Sequence, residues 1–386
     1  MAKKAPKRFT LRAYQVGFGD CFLLTFHYKA EDRHVLIDFG TMALPKGVKD
    51  GYMTEVARLI KKHCDGRLHV LVASHRHWDH IAGFSPNADG DGPGDIIRAC
   101  KPRLVIQPWT EDPRLGPKAT KPYQALKGAR GVTAALLNLQ AAGEAIRREA
   151  SSLLRTASSP RLKRVAELAL IQLQNGPAIS NLAKLGKKRT YAWYGKRISL
   201  EKLLPGVKLR VLGPPTIEQT DKIRKKPAQK HEEFWHLAAT VGAANGGAAG
   251  PLFRRRIDLT KQRPSPEVRW FLPRVREART EALVELTRVL DGALNNTSLI
   301  LLFETGKGRL LFPGDAQIES WSYPLFDAKD RKAVRAALAK TLELPEDRIG
   351  LKAGTAEGLG PVGRGEAVEA WAVAVVGETA VPSGDR

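Results

Sequence analysis

Apolar residues fall into two rhythms along the chain, and the rhythm changes several times. Phe9 to Val16, Cys21 to Tyr28 and His34 to Ile37 are β-rich runs, separated by the Gly17-Phe18-Gly19-Asp20 turn and by a charged hairpin. They predict three strands near the start. Thr54 to Cys64 then carries Val56, Leu59 and Ile60 at helical intervals. A further strand is predicted from Leu68, because Val70-Leu71-Val72-Ala73 is a continuous apolar run of the kind a strand buried on both faces needs. Asp95 to Cys100 predicts a short helix, and Leu104 to Gln107 a strand ending at Pro108-Trp109-Thr110-Glu111-Asp112. Later strands are predicted at Lys208 to Leu212, Ser298 to Phe303 and Arg309 to Phe312, the last two joined through Thr305-Gly306-Lys307-Gly308.

Between these strands the chain changes in kind. Ala134 to Leu154 and Leu162 to Gln174 place apolar residues at helical intervals with Lys and Arg between them, which predicts a helical insert over 113–187. Gly242 to Gln262, with its Gly-Ala run and Arg254-Arg255-Arg256, reads as an exposed linker, and Glu277 to Leu290 as a helix. The expected organisation is an α/β domain over 1–340 followed by a divergent tail over 341–386. The tail is rich in Gly, Ala, Val and Glu, and its apolar run Ala370 to Val376 follows no preceding motif. It is expected to be poorly packed and to contribute no metal ligand.

Composition narrows the picture. The chain has 386 residues, 43% of them hydrophobic, enough for a substantial core. Its basic start is followed by Arg12, Gln15, Gly17, Gly19 and Asp20 rather than by an unbroken apolar stretch, so neither a signal peptide nor a membrane span is expected there. A cytoplasmic protein without a membrane partner is the expectation, and no protein partner is indicated. Cys21, Cys64 and Cys100 are odd in number and lack C-x-x-C spacing, which disfavours a disulfide framework or a cysteine zinc site. The formal net charge of +23 implies attraction to polyanions, with nucleic acid as the candidate partner and a merely solvated basic surface as the alternative. Lys184, Lys187, Lys188 and Arg189 beside Tyr191, Trp193 and Tyr194 form the candidate track for a single strand.

The chemistry concentrates where one strand ends. His75-Arg76-His77-Trp78-Asp79-His80 follows the buried run directly, so three of the nine histidines leave the sheet together with a carboxylate. Imidazoles with a carboxylate at this density suit zinc or a similar borderline metal. Asp38 and Asp315 also stand where apolar strands run out, each close to a glycine. Acids and imidazoles from three strand ends at one sheet edge could assemble a metal site.

These residues, with the Val16-Gly17-Phe18-Gly19-Asp20-Cys21 turn and Asn295-Asn296-Thr297-Ser298, resemble the metallo-β-lactamase superfamily, specifically its competence-type members associated with DNA uptake. The resemblance implies an αββα four-layer sandwich with the helical insertion. It further implies His75 and His77 on one metal, Asp79 and His80 on a second, and Asp315 bridging both. The ions would be two Zn2+, with Mn2+ as the alternative. Asp38 would orient a ligand, and Asp79 and His80 would act with it in catalysis on a metal-activated water. The pattern departs from the family downstream: no histidine follows His236, and Thr355-Ala356-Glu357-Gly358 stands where an imidazole is expected. Glu357 is the one carboxylate there that could replace it. His231 and His236 are the available middle histidines, and their five-residue spacing takes them off a shared helical face.

The implied function is a metallo-hydrolase acting on a phosphodiester or nucleic acid. The alternatives are a non-catalytic nucleic-acid-binding relative with a decayed site and a small ester or thioester hydrolase.

Overall fold

The computed structural model describes residues 5–114, 175–216, 218–220 and 294–342. The two helical segments of the insert, the linker, the 277–290 helix, His231, His236, Glu357 and all but the start of the tail lie outside these. Contacts divide the chain into two units, Met1–Tyr323 and Pro324–Arg386.

The first unit holds a six-stranded sheet in the order β1 (Arg8–Ala13), β2 (Phe22–His27), β3 (Asp32–Ile37), β4 (Val70–Val72), β5 (Leu104–Pro108) and β6 (Lys188–Ala192). The first three strands run antiparallel, whereas β3 through β6 are parallel. A three-stranded antiparallel sheet contains β7 (Lys208–Gly213), β8 (Ile300–Thr305) and β9 (Gly308–Phe312). The eight predicted strands agree with the hydrophobic rhythm, with ends shifted by a few residues, and β6 is a further strand formed by the basic stretch of the candidate nucleic-acid track.

Period-two alternation explains the layering. Leu36, Leu71 and Val105 are register partners on one face of the large sheet. They join a core with Val56, Ala57 and Ile60 of α1 (Tyr52–His63), Ile97 of α3 (Pro93–Ala99), and Ala178 and Leu182 of α4 (Gly176–Leu182). The flanking residues Val35, Ile37, Val70, Val72 and Ile106 face the other way, onto Leu209, Val211, Leu301, Phe303 and Phe312 of the small sheet. The central strands thus read as unbroken apolar runs because both of their faces are covered. The described layers are helices, large sheet, small sheet.

Parallel pairing decides where the chemistry goes. Strands β3, β4 and β5 all end at the same sheet edge, so Asp38, the histidine loop and Trp109–Asp112 emerge side by side. The small sheet meets them there: the Leu299 amide donates to the Ser74 carbonyl at 2.9 Å, and Leu301 pairs with Phe312 just before Pro313-Gly314-Asp315. Among the described residues no helix is long and apolar enough to cross a membrane.

A second histidine pair is built into the sheet itself. The His34 amide donates to His69 Nδ1 at 3.1 Å, and His34 Nδ1 lies 3.1 Å from Thr25 Oγ1. Burial, then the nearby Arg103 charge, lowers the pKa of His69 to about 4. Because its folded pKa lies below its unfolded value, the stabilising contribution is complete above about pH 6.5 and is lost as pH falls toward 4. Between those values the stability is expected to drop by about 3 kcal/mol from this residue alone. Urea midpoints measured from pH 7 to 4 should show the fall, with a shallower slope in His69→Gln. Equal slopes would mean that His69 is not the titrating group.

Candidate metal centre

His75, His77 and His80 are all buried, and they face one another at the sheet edge. His75 Nε2 lies 2.9 Å from His77 Nδ1, and the His75 and His80 ring centroids are 4.2 Å apart. Asp315 completes the cluster, with Oδ2 at 3.2 Å from His80 Nε2 and 3.9 Å from His75 Nε2. Asp79 Oδ2 stands 3.9 Å from the same His80 nitrogen. Atoms bound to a tetrahedral zinc at about 2.0–2.2 Å lie about 3.3–3.6 Å from one another. The observed separations bracket that spacing. Two donor groups, His75-His77-Asp315 and Asp79-His80-Asp315, share Asp315. The five residues singled out as ligands from sequence are therefore brought together.

Local backbone explains the convergence. His77 caps α2 (Trp78–Ile81), whose single turn returns Asp79 and His80 toward the strand that delivered His75. Gly40 packs so tightly under that turn that a Cβ there would lie 2.4 Å from the Asp79 carbonyl carbon and from the His80 amide nitrogen. The Asp20 amide donates to the Asp79 carbonyl at 3.0 Å, and the Phe39 amide to the His80 carbonyl at 2.8 Å. Backbone from two segments, at Asp20 and at Phe39–Gly40, holds the histidine turn in place.

Asp38 sits beneath the cluster. Its Oδ2 lies 2.9 Å from His80 Nδ1, while its Oδ1 accepts the Ser74 amide at 2.7 Å. A carboxylate behind a ligand histidine fixes the ring and its tautomer. Asp38 adopts φ 54°, a left-handed conformation that Asp tolerates better than most residues. Ser74 Oγ, 3.1 Å from His75 Nδ1, does the same for His75. Asn295 interacts with His75 and His77 from the small sheet's side.

The electrostatics favour a cation. Burial, reinforced by His80 and His77, holds the pKa of His75 well below its usual value. Burial and then His80 lower that of His77 to about 4, so both rings offer lone pairs at neutral pH. Burial opposes charge on His80, but hydrogen bonds with Asp315 and Asp38 outweigh it and raise its pKa well above the usual value. One protonated imidazole thus stands among Asp20, Asp38, Asp79 and Asp315. Asp79 Oδ1 is buried without a hydrogen-bond partner. An acid-rich pocket with an unsatisfied carboxylate oxygen and two neutral imidazoles has the donor chemistry of a divalent-metal site.

Asp20 is the residue that sequence reasoning left without a role. Its Oδ2 lies 3.7 Å from His80 Nδ1, its side chain is 40% exposed, and burial raises its pKa to about 6 although His80 opposes the shift. The available signal was Gly19, where a Cβ would come within 2.6 Å of the Asp79 carbonyl oxygen. Such close backbone approach ties the first turn to the histidine loop.

Other expectations change. The end of β5 contributes no donor to these groups: Glu111 is bound by the Arg76 guanidinium through two 2.8 Å hydrogen bonds, and Asp112 pairs with Arg114 at 2.7 Å. Lys187, Lys188 and Arg189 are exposed, but Tyr191 and Tyr194 are buried. Those two rings cannot present open faces to bases.

The family expectation is corrected by similarity to known proteins. A model of the YgbB family matches residues 323–377. The 2-C-methyl-D-erythritol 2,4-cyclodiphosphate synthase of Synechococcus elongatus is 57% identical over 44 residues, covering 11% of this chain and 28% of that protein. The enzyme of the same name from Burkholderia mallei is 54% identical over 44 residues, covering 11% and 27%. The chain thus spans less than a third of the length of these curated relatives. No solved structure matches. These findings point to the cyclodiphosphate synthases and overturn the metallo-β-lactamase assignment, and with it the metallo-hydrolase function on phosphodiesters or nucleic acid. The physical reason is that H-x-H-x-D-H specifies donor atoms at a strand end, whereas the family match lies in 323–377, where only Glu357 stood as a candidate donor. None of the clustered histidines or aspartates falls within 323–377.

Proposed function

We propose that the chain is a divalent-metal-dependent enzyme acting on a small phosphorylated substrate. The convergence of His75, His77, Asp79, His80 and Asp315 carries this reading. Those side chains would hold zinc, with manganese the alternative, and shared Asp315 suits two adjacent positions. Divalent ions there would supply Lewis-acid stabilisation to a phosphoryl oxygen. The chain's own residues do the positioning: Asp38 and Ser74 fix the rings of His80 and His75, and Asn295 braces the pair His75 and His77. Asp20, half-open to solvent, can hold or release a proton at its carboxylate near neutral pH.

Substrate class is supported separately. The relatives' name makes their product a cyclic diphosphate, and a chain of net charge +23 attracts phosphate-bearing anions. Calorimetric titration of the zinc-loaded full chain with 2-C-methyl-D-erythritol 2,4-cyclodiphosphate tests the reading. Saturable binding is expected, with a component that requires zinc and is lost on chelation and in His77→Ala. Absence of binding, or binding indifferent to both treatments, would overturn it.

A further inference from the structure

At the opposite end of β3 from the metal cluster lies a cavity of about 600 Å3, lined by Tyr28, Lys29, Glu31, Arg33, Lys202 and Pro205. That volume falls within the range of small-molecule sites. Arg33 lies five residues before Asp38 along the strand, so the cavity stands roughly 17 Å from that end of β3. It is a separate place in the fold.

Its walls are tied together. Arg33 Nη1 donates to the carbonyls of Lys202 at 3.2 Å and Leu203 at 2.7 Å, and the Tyr28 hydroxyl donates to the Pro205 carbonyl at 2.9 Å. The β2–β3 hairpin is thereby fastened to the 200–205 loop, which fixes the cavity's shape before any ligand arrives. The Arg33 guanidinium also lies over the Tyr28 ring, 5.3 Å from its centroid.

Its charge is unbalanced. Glu31 is the one carboxylate among the lining residues, and it is engaged by Arg33 Nη2 at 2.9 Å and by Arg67 at 3.6 Å. Lys29 and Lys202 are exposed and form no ion pair among the described residues. The planar fork of Arg33 is already committed to carbonyls and to Glu31. What remains free is a pair of ammonium groups, point charges that suit a multivalent tetrahedral anion better than a planar carboxylate.

We propose that this cavity is a second binding site, for a small phosphate-bearing anion held by Lys29 and Lys202 against the wall braced by Arg33. It is independent of the metal centre and of the chemistry assigned there.

The test uses the full chain, stripped of metal by chelation and dialysed, titrated calorimetrically with inorganic pyrophosphate at physiological ionic strength. One saturable site is expected, and the Lys29→Glu/Lys202→Glu variant should weaken it on the order of a hundredfold. A charge-matched control, Lys187→Glu/Arg189→Glu, should leave it within about twofold, because exposed charges beyond a Debye length are screened. His77→Ala should also leave it unchanged, which separates this site from the metal cluster. Citrate should bind more weakly than pyrophosphate. The proposal is overturned if wild type shows no saturable binding, if the control variant loses as much affinity as the cavity variant, or if citrate matches pyrophosphate.

Discussion

Asp38→Ala is expected to destabilise the metal-free protein by roughly 3–5 kcal/mol, the cost of breaking a buried, hydrogen-bonded ion pair by removing one partner. Three losses coincide at that position. His80 Nδ1 loses the carboxylate 2.9 Å away, the Ser74 amide loses its 2.7 Å acceptor, and the chain must hold φ 54° with a residue that cannot bond locally. Asp38→Asn keeps an acceptor for Ser74 and tolerates the left-handed backbone, so it should retain much more stability. Its metal affinity should still fall, by about 10- to 100-fold, because the ring of His80 is no longer oriented by a charge. Urea midpoints and competitive chelator titrations of the two variants separate these effects. Equal stability of Ala and Asn variants would contradict the account of Asp38.

Gly40→Ala should produce the second large effect. The added methyl would stand 2.4 Å from the Asp79 carbonyl carbon and the His80 amide nitrogen, and backbone atoms cannot swing aside as a side chain can. Overpacking of this kind costs about 1–3 kcal/mol, relieved here by pushing the Asp79–His80 turn outward. Metal uptake should therefore collapse even in the folded fraction. Circular dichroism near wild type together with lost zinc binding is the expected pair of results, and unimpaired zinc binding would show that the turn is not held by that contact.

Much of this site was legible in the sequence because it is built from strand ends. An apolar run that stops at a carboxylate or histidine places that group at a sheet edge, and parallel pairing of β3, β4 and β5 then gathers the ends. Asp20 and Asn295 were harder to read, since their roles depend on contacts with His80, His75 and His77 from distant parts of the chain. The basic-aromatic stretch misled for a related reason: Tyr191 and Tyr194 look available in sequence, but packing buries them. Family could not be read from the histidine motif at all. Six residues can fix donor chemistry, whereas the similarity to known proteins lies elsewhere in the chain, in 323–377.

The central claim is that five converging side chains form a divalent-metal centre. Its most direct test is elemental analysis of the purified full chain after supplementation with zinc or manganese and extensive dialysis, beside His77→Ala and Asp79→Ala. The account predicts retained metal in wild type and its loss in both variants, with the overall fold preserved. Wild type without bound metal, or variants that keep as much as wild type, would contradict it.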